Sequence, residues 1–394
     1  MTLLFHERGV LNSPDAFLQV QHLYMKGTNV EIGAQIGGLA RHRHQIEKKP
    51  VPDPLIAQCQ NKYIETHYPI HWERMKGFAQ AYGQSLDDTV CDFSTFGSPL
   101  GNTACSAVYY PPQTTVLHHG MLSRNLDFDI PLAAPQSIRE RRTPFAKTYI
   151  MELRPDVGYA SLTLFCFEVF GQALEGINSE GLAVVHLADA TTATAFPHAG
   201  TGQLAVGLNE FLPIQLLLDT CSTAREAQEA LLLNKHYYRC VPVHLLVADR
   251  AGNSFVWETG SIHNSEHIID GKQQPQIVTN FLLHRYAPDV SFPETDPDRN
   301  SPENRFRILQ RELRSIAGQY TPDFIRCTNL KVFYLDPMPH GKTASTQIAR
   351  TLFHNIYDLD ARTVRISFYL GEGEESGVEN ANVLRSEYIE FALG

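Results

Sequence analysis

A cysteine, an arginine and an aspartate stand where they could do chemistry together. Cys105 lies in Asn102-Thr-Ala-Cys105-Ser-Ala-Val-Tyr-Tyr, where helix-like texture gives way to strand-like texture. Gly120-Met-Leu-Ser-Arg124-Asn125-Leu126-Asp127-Phe128 follows one strand-turn-strand later. If those strands pair as a hairpin, Arg124 and Asp127 return beside the cysteine. A thiolate is a good nucleophile, and a nearby guanidinium favours it. A base must still take and return a proton, and no histidine is placed by the sequence to do so. A free α-amino group would serve. Its ordinary pKa of about 7.7–8.0 lies well below the roughly 10.4 of lysine, so it can act as a base near neutral pH. Cys105 owns such a group only if the Ala104–Cys105 bond is cut. Asp127 would then hold the ammonium or orient the thiol. Strict alternation aims Arg124 and Asp127 at opposite faces of a strand. Both reach one site only if the strand ends or bulges between them.

Plainer uses exist for the same residues. Free cysteine is among the most buried residue types, so Cys105 alone also suits a core thiol. Arg124 and Asp127 alone suit a structural ion pair. Other motifs do not hold up. The chain has no GxSxG nucleophile elbow, no HExxH and no GxGxxG. His67 and His71 have HxxxH spacing, but Pro69 lies between them and no third zinc ligand is evident. Gly341-Lys342-Thr343 lacks the upstream glycine of a phosphate-binding loop, where Asp336 stands instead.

With Cys105 and the Arg124-Asn-Leu-Asp127-Phe segment, three further segments complete a pattern. They are Gly176-Ile-Asn-Ser-Glu-Gly181-Leu182-Ala183, Val278-Thr279-Asn280 and Asn304-Arg305-Phe306. Together they resemble the N-terminal-nucleophile (Ntn) hydrolases of the choloylglycine hydrolase, acid ceramidase and acyl-CoA:isopenicillin N acyltransferase group, the last most closely. Met25 to Gly33 and Thr351 to Tyr357 extend the resemblance over nearly the whole chain.

The resemblance implies a four-layer αββα sandwich. It implies self-cleavage before Cys105 into a helical fragment 1–104 and a catalytic fragment 105–394 of one domain spanning 1–394. It makes Cys105 the nucleophile and Arg124, Asp127 and Arg305 site residues. Asn280 becomes an oxyanion donor, together with a backbone N–H near Ala188. On the residues alone, Asn280 could cap a turn and Arg305 could be a solvated helix residue, with Arg307 a competitor for its place. Asn178 reads as a turn residue. The implied reaction is hydrolysis of a linear amide, or acyl transfer from an acyl-CoA, and needs no metal or organic cofactor. An inactive binding relative is one rival. A conventional cysteine hydrolase that uses a histidine such as His186, without self-cleavage, is another.

The elements that must position these residues fall into blocks. The first hundred residues read mostly as helix. Asn29 caps one in which Ile32, Ile36 and Leu39 share a face, Pro69 to Tyr82 form a second, and Ser85 caps a short third. Strand texture follows over Ala107 to Tyr110, Thr115 to Ser123, Phe145 to Leu153, Tyr159 to Phe165, Leu182 to Leu187, Val241 to Asp249, Ser254 to Glu258 and Gln276 to Thr279. Helices are expected over Pro213 to Asp219, from the Thr223–Glu226 capping box to Leu232, and over Pro302 to Ile316. Thr351 to Tyr357 and Thr363 to Leu370 close the chain as strands. Short connections suit hairpins, so the pattern predicts an α+β fold with antiparallel sheets rather than alternating βαβ units. The loop from Asp129 to Pro144 is placed to border the pocket.

The bulk properties fit that reading. With 43% hydrophobic and 19% charged residues the 394-residue chain can bury a large core. A net charge of −10 argues against a general nucleic-acid binder. No stretch approaches the roughly 18 apolar residues of a membrane span. Seven cysteines at irregular spacing without CxxC suit free thiols in a reducing compartment. The start of the chain lacks a signal-peptide pattern. The expectation is a cytoplasmic protein, or one whose signal segment is not in this sequence, with a small-molecule partner. Homo-oligomerisation is left open.

Overall fold

Segments rich in β-branched and aromatic residues become the strands of two large sheets, with Lys49–Pro50 and Cys91–Asp92 forming a separate two-stranded one. The computed structural model describes residues 2–13, 16–51, 53–94, 103–131, 146–166, 173–189, 204–239, 242–259, 265–286, 298, 300–316, 319–335, 347–373 and 382–394. The chain begins with β1 (Leu4–Leu11), β2 (Gln19–Gly27), α1 (Asn29–His42), β3 (Lys49–Pro50), α2 (Pro54–His67), α3 (Pro69–Ala81) and β4 (Cys91–Asp92). Next come β5 (Thr103–Tyr110), β6 (Met121–Pro131), β7 (Lys147–Pro155), β8 (Ser161–Cys166), β9 (Glu175–Asn178), β10 (Ala183–Ala188), α4 (Leu212–Thr220) and α5 (Ala224–Leu232). Then follow β11 (Val243–Ala248), β12 (Ser254–Thr259), β13 (Glu266–Asp270), β14 (Gln276–Val278), α6 (Pro302–Arg314) and α7 (Pro322–Leu330). The chain ends in β15 (Gln347–Asp358), β16 (Thr363–Glu372), β17 (Val383–Arg385) and β18 (Ile389–Ala392).

Nine strands form one sheet in the order β1-β2-β7-β8-β9-β10-β11-β12-β13. Seven form the other, β14-β5-β6-β15-β16-β17 with β18 also on β16. The pairs are antiparallel except β2 with β7. Side-chain alternation sorts the residues into layers. Leu162, Leu164, Val185 and Leu246 of the larger sheet share one buried cluster with Ala107, Leu122, Leu126 and Phe353 of the smaller. Outside the larger sheet, Val184, Leu245 and Val247 pack with Ile214, Leu217 and Ala227 of α4 and α5. Outside the smaller, Val108, Tyr110 and Ile356 meet Leu309, Leu313 and Ile325 of α6 and α7. The expected α+β architecture, two mainly antiparallel sheets flanked by helices, is the one observed.

The N-terminal region departs from expectation. Besides its helices it supplies β1 and β2, and α2 is an additional helix. β1 is mostly exposed, so no alternation of apolar residues marks it. Thr28, not Asn29, caps α1. Its hydroxyl accepts from Glu31 N–H, and the Glu31 carboxylate accepts from Thr28 N–H. β9, β13, α7, β17 and β18 also went unread. The strand expected from Thr115 begins only at Met121, after a short turn at Pro112–Thr114, and runs on to Pro131. Phe145, Val241, Cys240 and Gly341 to Thr343 lie outside the described residues.

One turn matters for the site. Asn178 accepts from the N–H groups of Glu180 and Leu182, and its Nδ2 donates to Leu218 and Cys221 carbonyls. That is the turn role expected of it. Gly181 sits at φ +80°, where an added Cβ would lie 2.6 Å from the Leu359 carbonyl, so the position favours glycine twice over. This turn fixes β9 beside β10, and thereby Glu175 and Ala188. Among the described residues no helix is long and apolar enough to cross a membrane.

Candidate active site

Cys105 is the third residue of β5 and pairs with Leu126 of β6. Ala107 pairs with Arg124 and Ala104 with Asp127. β6 runs unbroken through both Arg124 and Asp127, so alternation holds and they occupy opposite faces. Arg124 shares the thiol's face, between the sheets. Its Nη2 lies 3.3 Å from Cys105 Sγ and donates to the His186 carbonyl at 3.2 Å. Its Nη1 lies 2.7 Å from Glu175 Oε2, with both side chains wholly buried. That contact is ionic, since its angles do not meet hydrogen-bond geometry.

Asp127 projects to the face covered by α6 and α7. There its Oδ1 accepts the Thr351 hydroxyl at 2.5 Å, and its Oδ2 lies 3.9 Å from Arg305 Nη1. A bulge is present, but on the neighbouring strand. β15 pairs Thr351 with Asp127 and Phe353 with Leu126, leaving Leu352 as the extra residue. The bulge lets Thr351 face outward with Asp127 while Asn355 and Tyr357 face inward toward Glu175.

Arg305 and Asn280 close on the Cys105 peptide group itself. β14 ends at Val278, two residues short of Asn280. Asn280 Oδ1 accepts the Cys105 N–H at 2.8 Å and Arg305 Nη2 at 2.7 Å. Arg305, from the first turn of α6, also donates from Nη1 to the Cys105 carbonyl at 2.5 Å and from Nε to the Asn300 carbonyl at 3.0 Å. Tyr334 lies under its guanidinium, 5.2 Å from ring centroid to Cζ. Arg307 instead bonds Asn304 Oδ1, so of these two it is Arg305 that reaches the cysteine.

The oxyanion expectation meets a qualified geometry. Asn280 Nδ2 donates to the Ala188 carbonyl at 2.7 Å, and the Asp189 N–H is taken by the Pro242 carbonyl. Nδ2 carries two hydrogens. The second is uncommitted among the described residues. His186 does not present its ring to the thiol. Its Nδ1 is 2.6 Å from the Leu174 carbonyl, it packs edge-on against Phe211, and burial takes it to about 3.

The electrostatics follow from burial. Cys105 is 1% exposed. Desolvation pushes its thiol up, Arg124 and Arg305 pull it down, and Asp127 and Glu175 push it up again. Desolvation lifts the Asp127 carboxyl to about 6, against the pull of Arg305, the Thr351 hydroxyl and Arg124. Burial thus favours the protonated form of both the thiol and the carboxyl behind it, and the two arginines oppose it.

Glu175, Asn355, Tyr357 and Thr351 were not singled out in the sequence. Glu175 precedes a turn motif and looks like a solvated turn residue. Nothing in the pattern places it opposite Arg124, because the two belong to different sheets. His67 stacks on Tyr63 while His71 bonds the Ser94 carbonyl and stacks on Tyr68, so the two histidines have separate surroundings. The six described cysteines are all free thiols. Most of the loop expected to border the pocket, residues 132–144, lies outside the described residues, as do residues 291–297 of the segment before Arg305.

The sequence model of the family described as acyl-coenzyme A:6-aminopenicillanic acid acyl-transferase matches residues 120–371. That span contains Arg124, Asp127, Asn280 and Arg305 and begins downstream of Cys105. No match emerges from comparison with curated proteins. Among solved structures, penicillin V acylase from Agrobacterium tumefaciens is similar at 20% identity over 67% of this chain and 83% of that one, with a TM-score of 0.42. A mutant conjugated bile acid hydrolase from Clostridium perfringens is similar at 12% identity over 73% and 97%, with a TM-score of 0.46. The Caenorhabditis elegans N-acylethanolamine-hydrolyzing acid amidase ortholog is similar at 12% identity over 71% and 100%, with a TM-score of 0.37.

Proposed function

The chain belongs to the acyl-coenzyme A:6-aminopenicillanic acid acyl-transferase family, and from that premise we propose that it is a self-processing cysteine amidase working through an acyl-enzyme. One observation carries the reading. Three side chains converge on a single residue, with the Cys105 N–H on Asn280, its carbonyl on Arg305 and its thiol beside Arg124.

In the intact chain, Sγ adds to the Ala104 carbonyl carbon. The C–N bond breaks, the thiol proton ends on the Cys105 nitrogen, and a thioester forms. Water hydrolyses the thioester, leaving a carboxylate on Ala104 and a free thiol and amine on Cys105. The two fragments, 1–104 and 105–394, remain parts of one domain. The released amine supplies the base that no histidine offers. Asp127 lies opposite Ala104 in the ladder and stands near the new ammonium.

Turnover repeats the chemistry on an external amide. The thiol attacks the acyl carbonyl, and the amine takes its proton and returns it to the leaving group. The second N–H of Asn280, with a backbone N–H near Ala188, stabilises the tetrahedral oxyanion. Each such donor contributes on the order of 3 kcal/mol. Water then releases the acyl group as a carboxylate. The family's description favours one second reading, in which an acyl-CoA loads the cysteine and an amine takes the acyl group. Both share the thioester on Cys105 and differ in the acceptor.

Acid quench of the enzyme mixed with a panel of N-acyl amides and acyl-CoA thioesters, followed by peptide mass spectrometry, tests the assignment. The acyl mass is expected on Cys105 and on no other cysteine. Turnover that survives in Cys105→Ala would refute it.

A further inference from the structure

The mechanism above leaves out the residue to which Arg124 is tied. Glu175 is wholly buried on β9, in the larger sheet, and faces Arg124 of the smaller sheet at 2.7 Å. Its other oxygen accepts the Tyr357 hydroxyl at 2.7 Å and the Asn355 carboxamide, both from β15. Arg124 Nε has no hydrogen-bond partner among the described residues. Among the described residues the guanidinium is oriented by the Glu175 carboxylate and the His186 carbonyl, with Sγ at its remaining edge. Packing does not account for such a pair. A buried ion pair gains little over well-packed apolar residues, because desolvation offsets its attraction.

We infer that Glu175 is the positioning residue that holds Arg124 against Cys105 and, by how much of the guanidinium charge it neutralises, sets the pH at which the thiol ionises. The inference rests on Cys105 and Arg124 forming the site proposed above. The charged groups around the thiol are Arg124 and Asp127 from β6, Arg305 from α6 and Glu175 from β9. His186 of β10 turns its ring toward the Leu174 carbonyl. Of the two carboxylates, only Glu175 pairs with Arg124 on the thiol's face. Asp127 lies behind the strand with Arg305.

The two ends of the relay make opposite predictions. Glu175→Gln keeps a side chain of the same shape beside Nη1 but removes the charge, so Arg124 acts on the thiol undiminished and the thiolate forms at lower pH. Tyr357→Phe removes a donor from the carboxylate, which then draws more on Arg124, and the thiolate forms at higher pH. The measurement is the pH dependence of Cys105 alkylation by iodoacetamide, followed by mass spectrometry of the Cys105 peptide in the full protein. The midpoint is expected to fall by about one unit or more in Glu175→Gln and to rise in Tyr357→Phe. A midpoint that stays put or rises in Glu175→Gln overturns the inference. If that variant does not fold, an unmoved midpoint in Tyr357→Phe overturns it. Alkylation that leaves wild-type turnover intact would instead defeat the site reading itself. Alkylation that abolishes turnover, with unmoved midpoints in the variants, defeats this inference alone.

Discussion

Asp127 concentrates the electrostatic tension of the site in one carboxyl. Burial raises it from 3.8, and against the pull of Arg305 and Thr351 it settles at about 6. The folded chain therefore holds a proton between those two values that the unfolded chain has already released. The contribution of this carboxyl to stability is full below this window and is lost as pH rises through it. Urea denaturation of wild type and Asp127→Asn across that range is expected to show the wild type losing ground to the variant as pH rises. Parallel curves would contradict the assignment. Turnover runs the other way, falling as pH drops through about 6, because the ionised carboxylate is the form that attracts an ammonium. At this scale the sequence was informative where chemistry is carried by rare residues in short motifs. Cys105, Arg124, Asp127, Asn280 and Arg305 could each be named from it, and the structure sets Arg124 at the Cys105 thiol, Asn280 and Arg305 on its peptide group, and Asp127 beside Arg305. Glu175 and Tyr357 could not, because their meaning lies in a contact across two sheets.

Among the elements, β15 does the sorting. A regular strand would put Thr351 and Phe353 on the same face. The extra residue Leu352 breaks that parity, so Thr351 reaches Asp127 outward while Asn355 and Tyr357 reach Glu175 inward. Deleting Leu352 restores parity and makes the two sets of contacts incompatible. The deletion is expected to abolish turnover and to destabilise the fold by about 1–3 kcal/mol, a usual range for a disruptive change. Thermal melts and activity assays check this, and a deleted chain of full activity would contradict it. From the sequence, Arg124 and Asp127 could both serve one site only if β6 ended or bulged between them; β6 does neither, and the bulge lies on β15. Alternation in β6 was read correctly. The mistaken premise was that one site must lie on one face, whereas the backbone of Cys105 is approached from both. Edge strands such as β1 and β18 were missed for a simpler reason, since exposed strands need no alternating apolar face.

Across the whole molecule, the N-terminal region is built into the rest of the fold rather than resting on it. β2 pairs along its full length with β7. Arg74 of α3 forms a two-point ion pair with Asp219 of α4 at 2.6 and 3.0 Å, joined by the Tyr68 hydroxyl at 2.5 Å. Both charged side chains are almost fully buried. Asp219→Ala would strand a buried cation and is expected to cost about 3–5 kcal/mol. Denaturation showing less than about 1 kcal/mol would mean the tie is not what docks α3. This arrangement also bears on processing, because a cut before Cys105 severs neither the β2–β7 pairing nor the Arg74–Asp219 pair. Blocks of helix and hairpin-length connections made antiparallel sheet packed with helices legible, while the order of the layers came from the family resemblance. The parallel β2–β7 pair was not legible, because it joins strands far apart in sequence.

The most direct test of the account is the intact mass of the purified protein under denaturing conditions, taken beside Cys105→Ala. The account predicts two fragments from the wild type, the larger beginning at Cys105, and a single uncut chain from the variant. A wild-type chain that stays whole while turning over an amide, or a Cys105→Ala chain cut at the same bond, would contradict it.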